Sequence, residues 1–335
     1  MTEIVRIGCL GAARITPPAI VEPATVHGGV ALQSIAARDV ARAEKFAADH
    51  GFKTFCESYD ELVADPDVDL VYNALPINLH AEWTIRALEA GKHVLCEKPL
   101  AMNAAEATAM LDAAAGKRLI EALHYRYHPT FAHYLRWLAE GRIGKLRRIE
   151  ANFSVPIPDN NGKEIRHLPA TGGGSFMDLG CYPLSWALMS TQQEPETIEA
   201  EAILTSRGVD ESMTAVLTFA DGLEAHLESS MAMHCKQQAW LKVIGDKGEI
   251  QFDNPLAPQS GSRLTVITND SSETASKDRV STYFYQLDAV VRGLQTGEQL
   301  PTEGAAMIRQ QRTIDAIYAA AGLGHLRSAL PESAQ

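Results

Sequence analysis

Short apolar runs alternate with amphipathic stretches over the first hundred residues. Four of these runs are rich in β-branched residues and favour buried parallel strands. They cover residues 4–10, 30–36, 68–75 and 93–97. Helical spacing occurs between them at residues 40–50 and 80–90, and Gly91 can end the second helix. Strands that alternate with helices of about ten to fifteen residues predict a doubly wound parallel sheet.

A period of two replaces the helical spacing near residue 147. Alternation of this kind covers residues 147–155 and 197–252. Its clearest example places Thr214, Val216 and Thr218 on one face and Ala215, Leu217 and Phe219 on the other. Asp-Gly at 221–222 and Asp-Lys-Gly at 246–248 are turn signals. This half of the chain is therefore predicted to form a largely antiparallel open sheet.

Three helices are predicted in the same half. One follows Gly180 and one covers residues 283–294, and we expect both to pack on one side of the antiparallel sheet. The third, over residues 303–321, is Ala-rich and can pack on either half of the chain. Residues 254–279 are rich in Pro, Ser, Asn and Asp and are predicted to form an exposed loop.

Chain length favours two domains, because 335 residues exceed the size at which one hydrophobic core usually stops growing. We predict an α/β protein with a parallel-sheet domain at residues 1–125 and a second α/β domain at residues 126–335. The second domain is expected to bind the substrate and to form the oligomer, with residues 303–321 able to return to the first.

Charge and cysteine content exclude several classes of protein. The net charge is −12, from 30 basic and 42 acidic side chains, which argues against a nucleic-acid surface. No apolar run reaches the ~18 residues of a membrane span, and charges interrupt the N-terminal run, unlike a signal peptide. The five scattered cysteines contain no C-x-x-C pair and fit neither a disulfide framework nor a zinc site. We expect a cytoplasmic protein that binds neither nucleic acid nor membrane.

The junction of the first strand and the following helix is a candidate dinucleotide site. Backbone N–H groups and the helix dipole at such a turn attract a pyrophosphate. Only the first glycine of a G-x-G-x-x-G pattern is present, at Gly11, because Ala13 and Thr16 occupy the other two positions. The predicted cofactor-binding residues of this Rossmann turn are Gly11, Ala12, Ala13, Arg14 and Ile15.

The end of the second strand bears on the choice of cofactor. An acidic residue there binds a ribose 2′-hydroxyl, whereas an arginine accommodates a 2′-phosphate. Arg38 favours NADP, and the neighbouring Asp39 leaves NAD open.

Four later segments form a combined signature. They are LPINLH at 75–80, AGKHVLCEKP at 90–99, YRYHP at 125–129 and GGGSFMDLGCYP at 172–183. In this order they closely resemble the glucose-fructose oxidoreductase / inositol dehydrogenase / rhizopine-catabolism (Gfo/Idh/MocA) family. The last segment, with Tyr rather than His near its end, resembles the branch that contains dimeric dihydrodiol dehydrogenases and NADP-dependent xylose dehydrogenases.

The resemblance implies a site for each reactant. Lys98 would be catalytic beside the nicotinamide, with Asp178 and Tyr182 of the second domain completing the substrate site. The cofactor contacts that it implies outside the turn are Leu75, Pro76, Asn78, His80, Glu97, Lys98 and Arg126. The implied activity is hydride transfer between NAD(P) and a hydroxyl or carbonyl carbon of a sugar, cyclitol or diol.

Hydride transfer from an alcohol needs a base for the hydroxyl proton. Lysine and tyrosine have reference pKa values of about 10, so either needs a site that shifts them. The sequence leaves open whether Lys98 or Tyr182 carries the proton. Asp178 can orient either group or bind a substrate hydroxyl, and His167, in a polar loop, is a further substrate-contact candidate. Taken alone, each of the three catalytic candidates has an ordinary structural alternative. Lys98 can lie in a surface turn, Asp178 can cap the next helix, and Tyr182 can be a core aromatic.

Other readings concern metals and the type of reaction. His124 and His128 have i, i+4 spacing, but Pro129 follows at once, so we predict no metal site. On the same fold, the apparatus can instead reduce an imine, a tetrapyrrole or an unsaturated diol. A non-catalytic dinucleotide sensor is the alternative from another class, although a sensor needs none of Lys98, Asp178 and Tyr182. An uncovered face of the antiparallel sheet predicts a homo-oligomer, most simply a dimer.

Overall fold

The computed structural model describes residues 4–326 and divides the chain into two compact units. Within that range, the first unit comprises residues 4–126 and 281–308, and the second comprises residues 127–280 and 309–326. The predicted fold class is confirmed, because a parallel sheet lies in the first unit and a largely antiparallel sheet in the second.

The first unit is built on a six-stranded sheet with the order β3-β2-β1-β4-β5-β6, and all its pairs are parallel. Its strands are β1 (Val5–Leu10), β2 (Val30–Ala36), β3 (Thr54–Cys56), β4 (Leu70–Asn73), β5 (His93–Cys96) and β6 (Leu119–Glu121). The strand order reverses direction next to β1, between β1 and β4. In such sheets a ligand binds beyond the carboxyl ends of the strands at this switch point.

Helices connect these strands and cover the sheet. They are α1 (Glu22–Val26), α2 (Val40–His50), α3 (Tyr59–Ala64), α4 (His80–Glu89) and α5 (Ala104–Asp112). Polar caps begin several of them: Asp39 accepts from the N–H of Arg42 at the start of α2, and Asn103 accepts from Glu106 at the start of α5. Gly91, at φ 79°, follows α4 as the sequence predicts.

The second unit contains an eight-stranded sheet with the order β14-β13-β12-β11-β7-β10-β9-β8. Its strands are β7 (Leu146–Ser154), β8 (Thr197–Leu204), β9 (Asp210–Thr218), β10 (Glu224–Ser230), β11 (Gln238–Gly245), β12 (Gly248–Asp253), β13 (Arg263–Thr268) and β14 (Ser272–Thr274). Every pair is antiparallel except β7 with β10.

One face of this sheet is covered by α6 (Pro129–Ala139) and α7 (Cys181–Thr191). The covered face includes Ala215 and Leu217, which are buried. The opposite face is open, and Thr214 is exposed there while Val216 is half-buried. The alternation in the sequence therefore identified the two faces correctly.

Two expectations about the second half of the chain are wrong. The helix expected at 283–294 exists as α8 (Thr282–Thr296), but it packs on α1 in the first unit rather than on the antiparallel sheet. Residues 254–279 are not simply a loop, since β13 and β14 extend the sheet there. Leu264 and Val266 of β13 point into the core, and an apolar residue at every second position outweighs the loop-like composition around them. The last helix, α9 (Ala305–Ala320), begins in the first unit and continues in the second.

Candidate functional site

The turn after β1 has a backbone conformation that depends on Gly11. Gly11 adopts φ 98°, and a β-carbon there would lie 3.2 Å from the carbonyl oxygen of Ala74, so the turn requires glycine. Thr16 occupies the position of the third fingerprint glycine. Its buried hydroxyl donates to the carbonyl of Gly11 across 3.2 Å, so a side-chain hydrogen bond stabilises the turn at the position where the fingerprint has a glycine. A wide helical turn, Pro17–Val21, follows and runs into α1.

Basic side chains lie beyond the end of β2. Arg38 is exposed, and Arg42 in α2 donates to the carbonyl oxygen of Ala12 in the dinucleotide turn. Burial raises the pKa of Tyr59, and the nearby charges of Arg38 and Arg42 partly offset that effect. Asp39 is used as the cap of α2, so its carboxylate already accepts a backbone hydrogen bond. The two arginines favour an anionic group at this position.

The loop after β4 connects the dinucleotide turn to the loop after β5. Leu75 packs against Gly11, while Pro76 is half-buried and Asn78 is exposed. His80 is buried, with Nε2 2.8 Å from the carbonyl oxygen of Leu75 and Nδ1 3.1 Å from that of Pro99. Burial lowers the pKa of His80, so its ring is neutral at neutral pH. His80 thus links the two loops.

Lys98 is half-buried in the turn after β5. The preceding residue, Glu97, anchors this turn: its Oε1 accepts from the hydroxyl of Tyr72 across 2.7 Å, and its Oε2 accepts from the Lys98 N–H across 3.3 Å. Burial and the Glu97 carboxylate raise the pKa values of Tyr72 and Tyr283, so both phenols stay neutral. The turn of Lys98 is therefore partly removed from solvent and is held by hydrogen bonds of the neighbouring Glu97.

The charge of Lys98 acts on two ionisable groups, one at the end of β6 and one just after it. Glu121 ends β6, is 2% exposed, and accepts from the Leu100 N–H across 3.2 Å. Burial and the Glu97 charge raise the pKa of Glu121 to about 8, against the lowering effect of Lys98 and the Leu100 N–H. His124 lies 2.8 Å from the hydroxyl of Thr282 through Nδ1, and burial together with Lys98 lowers its pKa to about 3. Arg126 lies in the helical turn His124–Tyr127.

A buried carboxylate organises the glycine-rich turn of the second unit. Asp210 is fully buried and accepts from the Phe176 N–H, the Ser175 hydroxyl and the Tyr318 hydroxyl, at 2.7, 2.9 and 2.7 Å. Gly174, at φ 130°, approaches Asp210 so closely that a β-carbon would clash with it. This network fixes the start of the wide helical turn Phe176–Gly180, which carries Asp178.

Asp178 forms an ion pair within that unit. Its Oδ2 accepts from Nε of Arg166 across 2.6 Å, and Nη1 of Arg166 donates to the buried Glu164 across 2.9 Å. The Asp178 and Glu164 charges raise the pKa of Arg166, although burial opposes them. The N-cap position of α7 is Gly180, two residues after Asp178.

Tyr182 and His167 belong to the same neighbourhood of the second unit. The Tyr182 ring meets Phe153 edge to face, with centroids 5.6 Å apart. Nε2 of the buried His167 lies 2.9 Å from the carbonyl oxygen of Ile157. Phe153, Ile157 and Leu179 share one apolar cluster. The structure therefore brings Asp178, Tyr182 and His167 to one region of the unit, and His167 is not an exposed loop residue.

Several polar residues of these regions have weak sequence signals. Arg166, Glu164, Glu121, Arg42 and Tyr72 lie in no motif that identifies them. Two features of the sequence could have identified two of them: Arg166 is next to the candidate His167, and Arg42 is one helical turn after Arg38.

The histidines that suggested a metal have other partners. His128 accepts from the Thr130 N–H at the start of α6, and His124 faces Thr282 and Tyr283. Between residues 4 and 326, no cluster of three or more His, Cys, Asp or Glu side chains could hold a metal ion. No helix in this range is long and apolar enough to cross a membrane.

Two family models match the chain. Residues 5–125 match an oxidoreductase family with an NAD-binding Rossmann fold, and residues 131–251 match a Gfo/Idh/MocA C-terminal domain. The resemblance inferred from the sequence motifs is confirmed.

Relatives and solved structures agree with these matches. D-xylose 1-dehydrogenase (NADP(+)) 2 of Haloferax volcanii is 34% identical, over 95% of this chain and 97% of its own. Trans-1,2-dihydrobenzene-1,2-diol dehydrogenase of Xenopus tropicalis is 35% identical over 70% and 69%. A 3-ketoreductase from Actinomadura kijaniata, solved with NADP and TDP-benzene, superimposes with a TM-score of 0.87 at 27% identity, covering 95% of this chain and 98% of that one.

Proposed function

Because this chain belongs to the Gfo/Idh/MocA family of NAD(P)-dependent oxidoreductases, we propose that it is a dehydrogenase of a neutral sugar, cyclitol or diol. In one direction it oxidises a carbon that bears a hydroxyl group, and in the other it reduces the corresponding carbonyl. The observation that carries the proposal is the half-buried polar turn of Lys98, anchored through Glu97 to Tyr72.

The bound nicotinamide supplies the hydride acceptor or donor. The turn at Gly11 binds the pyrophosphate, while Leu75, Pro76, Asn78, His80, Glu97 and Arg126 define the side of the cofactor that carries the nicotinamide. NADP is the preferred form, since Arg38 and Arg42 offer two positive charges beyond β2 and Asp39 is already used as a cap.

Proton transfer is assigned to Lys98 and Tyr182 acting as a unit on the substrate hydroxyl. Either the Lys98 amine or the Tyr182 phenolate takes the hydroxyl proton during oxidation, and the same group returns it during reduction. Asp178, held by Arg166, accepts a hydrogen bond from a neighbouring hydroxyl of the substrate and so orients the reacting carbon. His167 lies in the same region of the second unit and contributes to recognition of the substrate.

A cytoplasmic homodimer is proposed for the assembled enzyme. All five cysteines are free thiols, which suits a reducing compartment. The face of the second sheet that includes Val216 is not covered by the helices of its own unit and offers a surface for a second copy.

A spectrophotometric screen tests the proposal. Reduction of NADP⁺ and NAD⁺ is followed by the absorbance of the reduced nicotinamide with aldoses, inositols and vicinal diols, and the reverse reaction is followed with ketosugars. We expect turnover of at least one polyol, with a higher kcat/KM for NADP⁺. Activity restricted to imines or tetrapyrroles would favour the reductase alternative. Cofactor binding without turnover of any compound would favour a sensor.

A further inference from the structure

A carboxyl group lies beside the turn that carries Lys98. Glu121 on β6 pairs with Cys96 on β5, and the Ala122 N–H donates to the Cys96 carbonyl across 2.8 Å. The chain leaves β5 after Cys96, and four residues later the Leu100 N–H donates to Oε1 of Glu121. Glu121 therefore closes the Glu97–Leu100 segment against the sheet.

The buried carboxyl of Glu121 differs in its setting from the other buried carboxyl nearby, that of Glu106. Glu106 makes a similar contact, since it is 5% exposed and accepts from the Met102 N–H, but it lies in the first turn of α5, where its own N–H donates to the cap residue Asn103. Among residues 4–326, Glu121 caps no helix, and the hydrogen bond that its carboxyl accepts comes from the segment of Lys98. Burying a carboxyl is costly, so its position next to Lys98 points to a role in the reaction.

The groups around this turn define its charge. Tyr72 and Tyr283 stay neutral because burial raises their pKa values, and His80 and His124 stay neutral because burial lowers theirs. The charges that act on the Glu121 carboxyl are those of Glu97 and Lys98. Of these groups, Glu121 is therefore the one whose charge changes with pH near neutrality.

We propose that Glu121 is a positioning residue for Lys98: its carboxyl holds the turn that carries the lysine, and its charge controls how readily the lysine amine loses a proton. The inference rests on the proposed role of Lys98 in proton transfer. It adds a residue that controls when Lys98 can act as a base.

The direction of the effect follows from the sign of the charge. The pKa of Glu121 is raised to about 8, so below that pH the carboxyl is neutral and leaves Glu97 as the carboxylate that contacts this turn. Above that pH a second carboxylate forms and favours the ammonium form of Lys98. Lys98 should therefore hold its proton to a higher pH than it would without an ionisable residue at position 121.

Glu121→Gln isolates the charge, because glutamine keeps an oxygen for the Leu100 N–H and cannot ionise. Lysines are reductively methylated with ¹³C-formaldehyde, and the Lys98 signal is assigned by its loss in Lys98→Met and titrated by NMR. We expect its midpoint to fall by about 1 pH unit in Glu121→Gln. The matched control, Glu106→Gln, should leave the midpoint unchanged. Coincident titrations of Glu121→Gln and wild type would overturn the proposal.

Kinetics test the positioning role. With a polyol that the screen identifies, the pH profile of kcat/KM for oxidation should move to lower pH in Glu121→Gln by the same amount. Glu121→Leu, which removes the acceptor for Leu100, should lower kcat about 100-fold with an unchanged Kd for NADP⁺. A normal kcat in folded Glu121→Leu would contradict that role, and if this variant fails to fold, Glu121→Gln still decides the question of charge.

The two proposals fail in different ways. If wild type turns over no polyol, the proposed function fails, while the NMR titration still reports whether Glu121 acts on Lys98. If wild type is active and the titrations coincide, the role of Glu121 alone is lost.

Discussion

Arg166 holds Asp178 through a 2.6 Å hydrogen bond from its Nε atom while its Nη1 atom contacts Glu164. The forked guanidinium spans two carboxylates, which a lysine ammonium does not do with the same geometry. The orientation of Asp178 thus depends on a residue twelve positions earlier in the chain.

Arg166→Lys tests this dependence. Lysine keeps the charge but loses the fork, so KM for the polyol should rise about tenfold or more, as for the loss of a charge-assisted hydrogen bond of roughly 1.5–3 kcal/mol. The Kd for NADP⁺, measured by fluorescence, should not change. Arg207→Lys is the control, because Arg207 pairs with Asp159 at a half-exposed site of the same unit. Equal effects of the two substitutions would remove Arg166 from substrate binding.

Lys98→Met should abolish turnover and leave cofactor affinity almost unchanged, since the amine acts on the substrate hydroxyl. Tyr182→Phe should also lower kcat. In the double variant kcat should fall by a much smaller factor than the product of the two single decreases, because the two groups act as a unit. Stopped-flow measurement of hydride transfer on folded variants checks this. Lys117→Met, at an exposed lysine of the same unit, is the control. A Lys98→Met enzyme with near-normal kcat would refute the mechanism.

Arg38→Ala should weaken NADP⁺ binding far more than NAD⁺ binding. The 2′-phosphate would lose a charge-assisted contact of roughly 1.5–3 kcal/mol, which corresponds to about 10- to 150-fold in Kd, while NAD⁺ has no phosphate there. Isothermal titration calorimetry with both cofactors gives the comparison. Arg86→Ala removes an arginine that pairs with Asp60 on the surface and should affect neither. Equal losses for the two cofactors in Arg38→Ala would exclude this role.

Val216→Arg should convert the proposed dimer to monomers. Val216 lies on the open face of the second sheet, between Glu199 and His226 on the neighbouring strands. An arginine there would place a large charged side chain in the contact between copies, and the cost of its desolvation exceeds what an ion pair with Glu199 returns. Multi-angle light scattering at micromolar concentration measures the mass. Val26→Arg, at a highly exposed valine of the first unit, should remain dimeric. A monomeric wild type would contradict the assembly itself.

Local pattern was sufficient to predict the parallel sheet, the two faces of the antiparallel sheet and the turn at Gly11. These features depend on residues close together in the sequence. The strand predicted at 30–36 and the helix predicted at 40–50 have the same bounds in the structure. Alternation with a period of two determines which side chains share a face. The motifs around Lys98 and Asp178 identified the family for the same reason, since each is a short continuous segment.

Tertiary structure alone decided which distant residues meet. An amphipathic pattern predicts that α8 has an apolar side but not what that side covers, and α8 returns to the first unit, where Thr282 contacts His124 from 158 positions away. Glu121 and Leu100 are 21 positions apart and meet because β5 and β6 are neighbours in the sheet. Polar side chains such as Arg166 and Glu121 carry no periodic signal. Their roles follow from the buried partners that the fold provides, because an unpartnered charge would be too costly to bury.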